Sequence, residues 1–270
     1  MNAFELLDEW PVGRVAAGVI LPDRSTQLYG DPNDVFELAS ITKPLTALAT
    51  LIAVEEGIVG LDDRCGPPAA TIRHLLAHAA GLAPDQRRLL TEPARRRIYS
   101  NSGYEIVADA VADASELAFQ NYFTEALVEP LGLVNTKLTG SPAYGADSSV
   151  ADLLVIVGEL TTDNPRLLAQ STIDEMCAPA FPDLAGVLPG YGIQDPNTWG
   201  LGFEIRGLKR PHWTGSSNSR ETFGHFGRAG TFLWIDPVAQ VACIVLTDRE
   251  FGDWAKQRWP AFSEAVLTSL

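Results

Sequence analysis

The chain has 270 residues, 46% of them hydrophobic and 20% charged, and a formal net charge of −14. Its length and composition allow a full buried core in one large domain or two subdomains, and its acidity, with a pI near 4.6, argues against a nucleic-acid partner, which needs a basic face. No apolar run reaches membrane-spanning length and the first ten residues hold neither a basic nor a long apolar segment, so the expectation is a cytoplasmic protein with no membrane partner.

In chain order, a short first helix is followed by two strands, 14–21 and 26–30, joined by the turn chemistry of Pro22-Asp23-Arg24-Ser25 and read as a hairpin. Helical patterning follows over 40–56, 71–78, 103–112, 117–126, 149–160 and 172–176. Between these helices, Arg87-Arg88 and Arg95-Arg96-Arg97 read as a solvated helix surface. The stretch 180–197, rich in Pro and Gly, reads as a long loop of the kind that borders binding sites. Strand patterns return at 200–205, 222–226, 231–236 and 241–247, and a helix over 253–267 closes the chain. This order predicts an α+β fold, with an antiparallel sheet flanked by N- and C-terminal helices and carrying an inserted, mostly helical subdomain. The sheet part takes residues 1–62 and 198–270, the helical part 63–197. Cys65, Cys177 and Cys243 are odd in number and far apart, which suits reduced thiols used as small core filler.

Ser40-Ile41-Thr42-Lys43 stands at the head of the 40–56 helix. A Ser and a Lys three positions apart there share a face, so the amine reaches the hydroxyl. As a bland reading, Ser40 is an N-cap. As a chemical one, the apolar run around Lys43 buries its amine and lowers its pKa, and neutral Lys43 then takes the Ser40 proton. The helix dipole adds to this by favouring a developing alkoxide. Two further clusters bear on the choice. Tyr99-Ser100-Asn101 precedes the helix at 103, where Asn101 or Ser102 is otherwise a cap and Tyr99 a packing ring. Gly224-His225-Phe226-Gly227-Arg228-Ala229-Gly230-Thr231 leads into an apolar strand, where the glycines otherwise mark a bulge or tight pairing. His74 and His78, four apart on one helix, have a spacing able to hold Zn, but Leu75 stands where H-E-x-x-H needs Glu and no third ligand is evident, so no metal is assigned. His212 and Trp213 fall in a connection between strands, where they read first as an exposed turn and second as lining of the site.

The three clusters together resemble the serine β-lactamase and penicillin-binding-protein superfamily, in the branch holding class C β-lactamases, D,D-carboxypeptidases, D-aminopeptidases and related esterases. Phe36-Glu37-Leu38-Ala39, Glu55-Glu56-Gly57 with Leu61-Asp62-Asp63, and Leu75-Leu76-Ala77-His78-Ala79-Ala80-Gly81-Leu82 are similar to family segments, so the likeness covers most of the chain. The resemblance implies an acyl-enzyme mechanism without a cofactor. Ser40 is then the nucleophile, Lys43 its base, and Tyr99, kept ionised or nearly so by Lys43, the group that passes protons. Asn101, His225 and Gly227 bind substrate, and the N–H groups of Ser40 and Arg228 form the oxyanion hole. His78 becomes a packing or capping residue. The chain departs from the penicillin-recognising pattern where His225 and Phe226 replace a lysine and a hydroxyl residue, a pair that grips a substrate carboxylate. The expected substrates are therefore a small ester or amide first, a D-amino-acid peptide second and a β-lactam third. A different class of answer is a non-catalytic acyl-binding or sensor protein, or one that acylates and stalls.

Overall fold

The computed structural model describes residues 3–269; Met1, Asn2 and Leu270 lie outside the described residues. A 3-10 turn, Ala3–Glu9, leads into the hairpin of β1 (Val15–Ile20) and β2 (Thr26–Tyr29), then β3 (Phe36–Glu37), a second 3-10 turn (Ala39–Ile41) and α1 (Thr42–Glu55). Next come α2 (Ile72–Leu76), α3 (Asn101–Ser115) and α4 (Phe119–Phe123), which runs through a π turn (Thr124–Val128) into α5 (Glu129–Leu131). They are followed by β4 (Lys137–Leu138), β5 (Ala146–Ser148), α6 (Val150–Thr161) and α7 (Gln170–Cys177). The chain ends with β6 (Gly186–Leu188), β7 (Gly192–Gln194), β8 (Glu204–Ile205), β9 (Phe223–Gly227), β10 (Thr231–Asp236), β11 (Val241–Thr247) and α8 (Asp253–Thr268).

The main sheet has six strands in the order β2-β1-β11-β10-β9-β8, every neighbouring pair antiparallel. Its central strands β10 and β11 are buried along their whole length, because both faces of the sheet are covered and an alternating polar pattern has no place there. One face packs Phe232, Trp234 and Val245 against Trp259 and Phe262 of α8 and Phe4 and Trp10 near the N-terminus. The other packs Leu233, Ile235, Ile244 and Leu246 into the larger core that α1 enters. Nearly every residue of α1 is buried, Lys43 included, as expected of a helix that is apolar on all sides. The expected α+β architecture is present.

Four local expectations need correction. The 200–205 strand shrinks to Glu204–Ile205, because Gly200 and Gly202 press against other elements: an added Cβ would stand 2.2 Å from the Met176 carbonyl and 2.4 Å from Ala47 Cβ respectively. The 180–197 loop carries the β6–β7 hairpin. Arg97 is no surface residue: it is 1% exposed, and its guanidinium donates to the carbonyls of Ala77, Ala180, Phe181 and Asn197. Arg87, Arg88, Arg95 and Arg96 are exposed, but on irregular chain rather than a helix. The side chains of His212 and Trp213 are also buried, both donating to Glu204, which pairs with Lys209 at 2.9 Å.

Candidate active site

Ser40 lies in the 3-10 turn before α1, and it is not the cap: the N-cap of α1 is Ile41, with no side-chain cap bond. Its hydroxyl is left for other partners. Ala39, just before it, holds φ +47, and Leu38 accepts a 2.9 Å hydrogen bond from the Thr231 hydroxyl, which ties this turn to β10. Gly227 brings β9 against the same turn; a Cβ there would stand 2.3 Å from the Leu38 carbonyl and 3.2 Å from Ala39 Cβ. That glycine is therefore required by the protein's own backbone contact.

Lys43, one turn further on, sends its amine to three acceptors: Asn101 Oδ1 at 2.7 Å, the Ala143 carbonyl at 2.9 Å and Ser40 Oγ at 3.4 Å. Burial pushes its pKa well below the ordinary lysine value, while the carboxylates of Asp85 and Glu105 pull it back up. Asn101 reaches Lys43 because Ser100, and neither Asn101 nor Ser102, caps α3 by accepting from the Gly103 N–H. The Asn101 amide nitrogen in turn donates to Asp85 at 2.7 Å, which fixes its orientation.

Burial pushes the Tyr99 phenol pKa up, and the neighbouring Ser40 hydroxyl pulls it down by less. The Lys43 amine sits over the tyrosine ring face, 4.5 Å from its centroid. Burial thus favours the protonated phenol over the ionised form expected from the sequence.

His225 comes from β9 and faces the same space, its ring 5.9 Å from that of Tyr99 and 5.4 Å from that of Trp199. Its Nδ1 bonds the Phe226 carbonyl at 2.7 Å, so Nδ1 carries the proton and Nε2 is a bare acceptor, buried and unpartnered. Burial, seconded by the Lys43 charge, pushes its pKa down to about 3. Phe226 points to the opposite face, where it packs on Phe251, Trp213 and Trp259. The Arg228 side chain is 82% exposed and pairs with Glu250 at 3.7 Å, while its backbone N–H has no acceptor among the described residues.

His74 and His78 do not converge. His74 bonds Thr71 and packs on Phe181, whereas His78 lies beyond the end of α2 at φ +55, accepts the Ser100 N–H and packs on Tyr99 and Trp199. No cluster of three or more His, Cys, Asp or Glu side chains fit for a metal occurs among the described residues. Nor is any described helix long and apolar enough to cross a membrane.

Sequence reasoning overlooked Asp85, Glu105, Trp199 and the Ala143 carbonyl. Glu105 was accessible, since Asn101 and Glu105 are i and i+4 on α3. It accepts from Ser141, whose hydroxyl also takes the Ala143 N–H, so it orders the loop that offers Lys43 a carbonyl. That loop contact has no sequence pattern.

The β-lactamase family model matches residues 8–266. A crystal structure of a β-lactamase from Mycobacterium bovis is 51% identical, with a TM-score of 0.95 over 99% of this chain and 98% of that one. Penicillin-binding protein 4* of Bacillus subtilis is 30% identical over 139 residues, which is 39% of this chain and 31% of that protein. The D-alanyl-D-alanine-carboxypeptidase/endopeptidase AmpH of Escherichia coli is 26% identical over 147 residues, 41% of this chain and 38% of that protein. The match to these two relatives thus spans about a third of their length. Family match, fold and the M. bovis likeness agree, and the chain belongs to the β-lactamase family, whose members are serine hydrolases.

Proposed function

We propose that this protein hydrolyses a small, uncharged carboxylic ester or amide through an acyl-enzyme on Ser40. The observation that carries this reading is the row Tyr99 hydroxyl, Ser40 Oγ, Lys43 Nζ. A neutral amine has two N–H bonds and one lone pair. When Lys43 is neutral, Asn101 and Ala143 keep its two N–H bonds, and the contact in which the ammonium donates to Ser40 reverses, so that the lone pair meets the Ser40 proton.

In the first step Ser40 Oγ attacks the substrate carbonyl and its proton passes to Lys43. The N–H groups of Ser40 and Arg228 hold the oxyanion. As the C–O or C–N bond breaks, the leaving group takes the Tyr99 proton, and Lys43 returns one to Tyr99. Water then repeats the sequence on the acyl-enzyme, which releases the acid and restores Ser40. The neutral, accepting Nε2 of His225 supports an uncharged substrate: it suits a hydroxyl or amide N–H and offers a carboxylate nothing.

The test is a chromogenic panel of short-chain esters, D-amino-acid anilides and a cephalosporin, with fluorophosphonate labelling, on wild type and Ser40→Ala. Esters should turn over fastest in wild type, and neither turnover nor label should survive in Ser40→Ala. Equal labelling of both proteins removes Ser40 as nucleophile. One product equivalent without turnover, across the whole panel, replaces hydrolysis with a stalled acyl-binding role.

A further inference from the structure

A half-enclosed cavity of about 590 Å³ lies between the sheet, the C-terminal end of α6 and one face of α7, and neither Ser40, Lys43, Tyr99 nor His225 lines it. Its floor is a single row across the sheet: Ile20, Ala242, Ile235, Phe223 and Ile205 are successive cross-strand partners on β1, β11, β10, β9 and β8. The next row on that face runs Gly18, Ile244, Leu233, His225. One strand repeat, about 7 Å, thus separates the cavity floor from the row that carries His225.

The cavity is apolar below and has one unanswered polar group. Thr198 lines it, and its hydroxyl is buried without a hydrogen-bond partner. Gly207 packs beside that hydroxyl, where an added Cβ would stand 2.6 Å from Thr198 Oγ1. The lining carries Asp163, Asp174 and Glu221 at the exposed mouth and Asp236 deeper, against Arg24 and Arg220, and Arg24 is committed to Thr161. The acidic excess disfavours a ligand with a carboxylate head.

We propose that this cavity is a second binding site, for a neutral amphiphile of medium chain length. Its aliphatic body lies on the Ile20 to Ile205 row and its single hydroxyl or amide meets the Thr198 hydroxyl. The volume falls in the ordinary range for small-molecule sites, about 300–1,000 Å³. The two sites share chain segments: Phe223 and His225 are neighbours on one face of β9, and Thr198 precedes Trp199, which packs on Tyr99 and His225.

The test uses the neutral dye N-phenyl-1-naphthylamine, displaced by 1-octanol and read by fluorescence. Wild type and Ser40→Ala should bind octanol equally, and octanol at ten times its Kd should raise Tm by about 2–3 °C. Ala242→Leu, which fills the middle of the floor, should abolish displacement. Thr198→Val, equal in shape, should weaken octanol about 5- to 10-fold. Octanoate should bind at least about tenfold more weakly than octanol. Wild-type octanol affinity in both cavity variants overturns the proposal, as does loss of dye binding once Ser40 carries the fluorophosphonate. Octanoate binding as well as octanol overturns the neutral class. No readout depends on turnover, so failure here is distinct from failure of the hydrolase reading.

Discussion

Burial disfavours the charged form of Lys43, and the pH dependence of the reaction should show it. The base works only when unprotonated, so kcat/KM for an ester should climb with pH along a limb set by Lys43. Burial lowers that pKa, and the limb should therefore lie well below the ordinary lysine value. Glu105 opposes the shift by favouring the cation. Glu105→Gln keeps an acceptor for Ser141 while removing the charge, so the limb should move to lower pH; an unmoved limb separates Glu105 from Lys43. The Ser-x-x-Lys spacing was legible in the sequence because a helix converts spacing into proximity. The upward push on the Tyr99 phenol was not, because it comes from burial, which leaves no trace in residue order.

At the scale of elements, the least legible part is the junction between the helical region and the β6–β7 hairpin, and Arg97 explains why. Its three guanidinium nitrogens, aided by its own N–H to Ala185, hold irregular chain from Ala77, from 180–185 and from Asn197. A loop organised by one buried side chain on distant carbonyls has no periodicity to read, whereas β10, β11 and α8 announce themselves over whole turns or strands. Burial without a carboxylate partner lowers the Arg97 pKa to about 9, so its charge costs stability that the four carbonyl contacts must offset. Arg97→Met should cost about 3–5 kcal/mol in urea unfolding, since it leaves those carbonyls unpaired. Arg97→Lys should recover little, because one ammonium cannot span sites that three forked nitrogens reach. Full recovery by lysine reduces Arg97 to a point charge.

Over the whole molecule, the way the two layers close on the site gives the protein an acid limit. All four histidines have lowered pKa values, with burial as the first cause in each, and three of them, His78, His212 and His225, have buried side chains. For His225 the sign is plain. Its stability contribution is complete above the unfolded pKa of 6.5 and is lost as pH falls toward the folded value of about 3, because the unfolded chain binds the proton first. Between pH 7 and pH 5 that single residue should remove about 2 kcal/mol of unfolding free energy. Acidification also relieves self-repulsion in a chain of net charge −14, which acts in the opposite direction and obscures the wild-type curve. His225→Gln leaves that background almost unchanged and removes only the titration. Its unfolding free energy should therefore fall by about 2 kcal/mol less than that of wild type over the same interval, measured by urea unfolding at both pH values. An equal fall in the two proteins means that folded His225 takes its proton near pH 6.5, and with it goes the neutral acceptor on which the choice of an uncharged substrate rests.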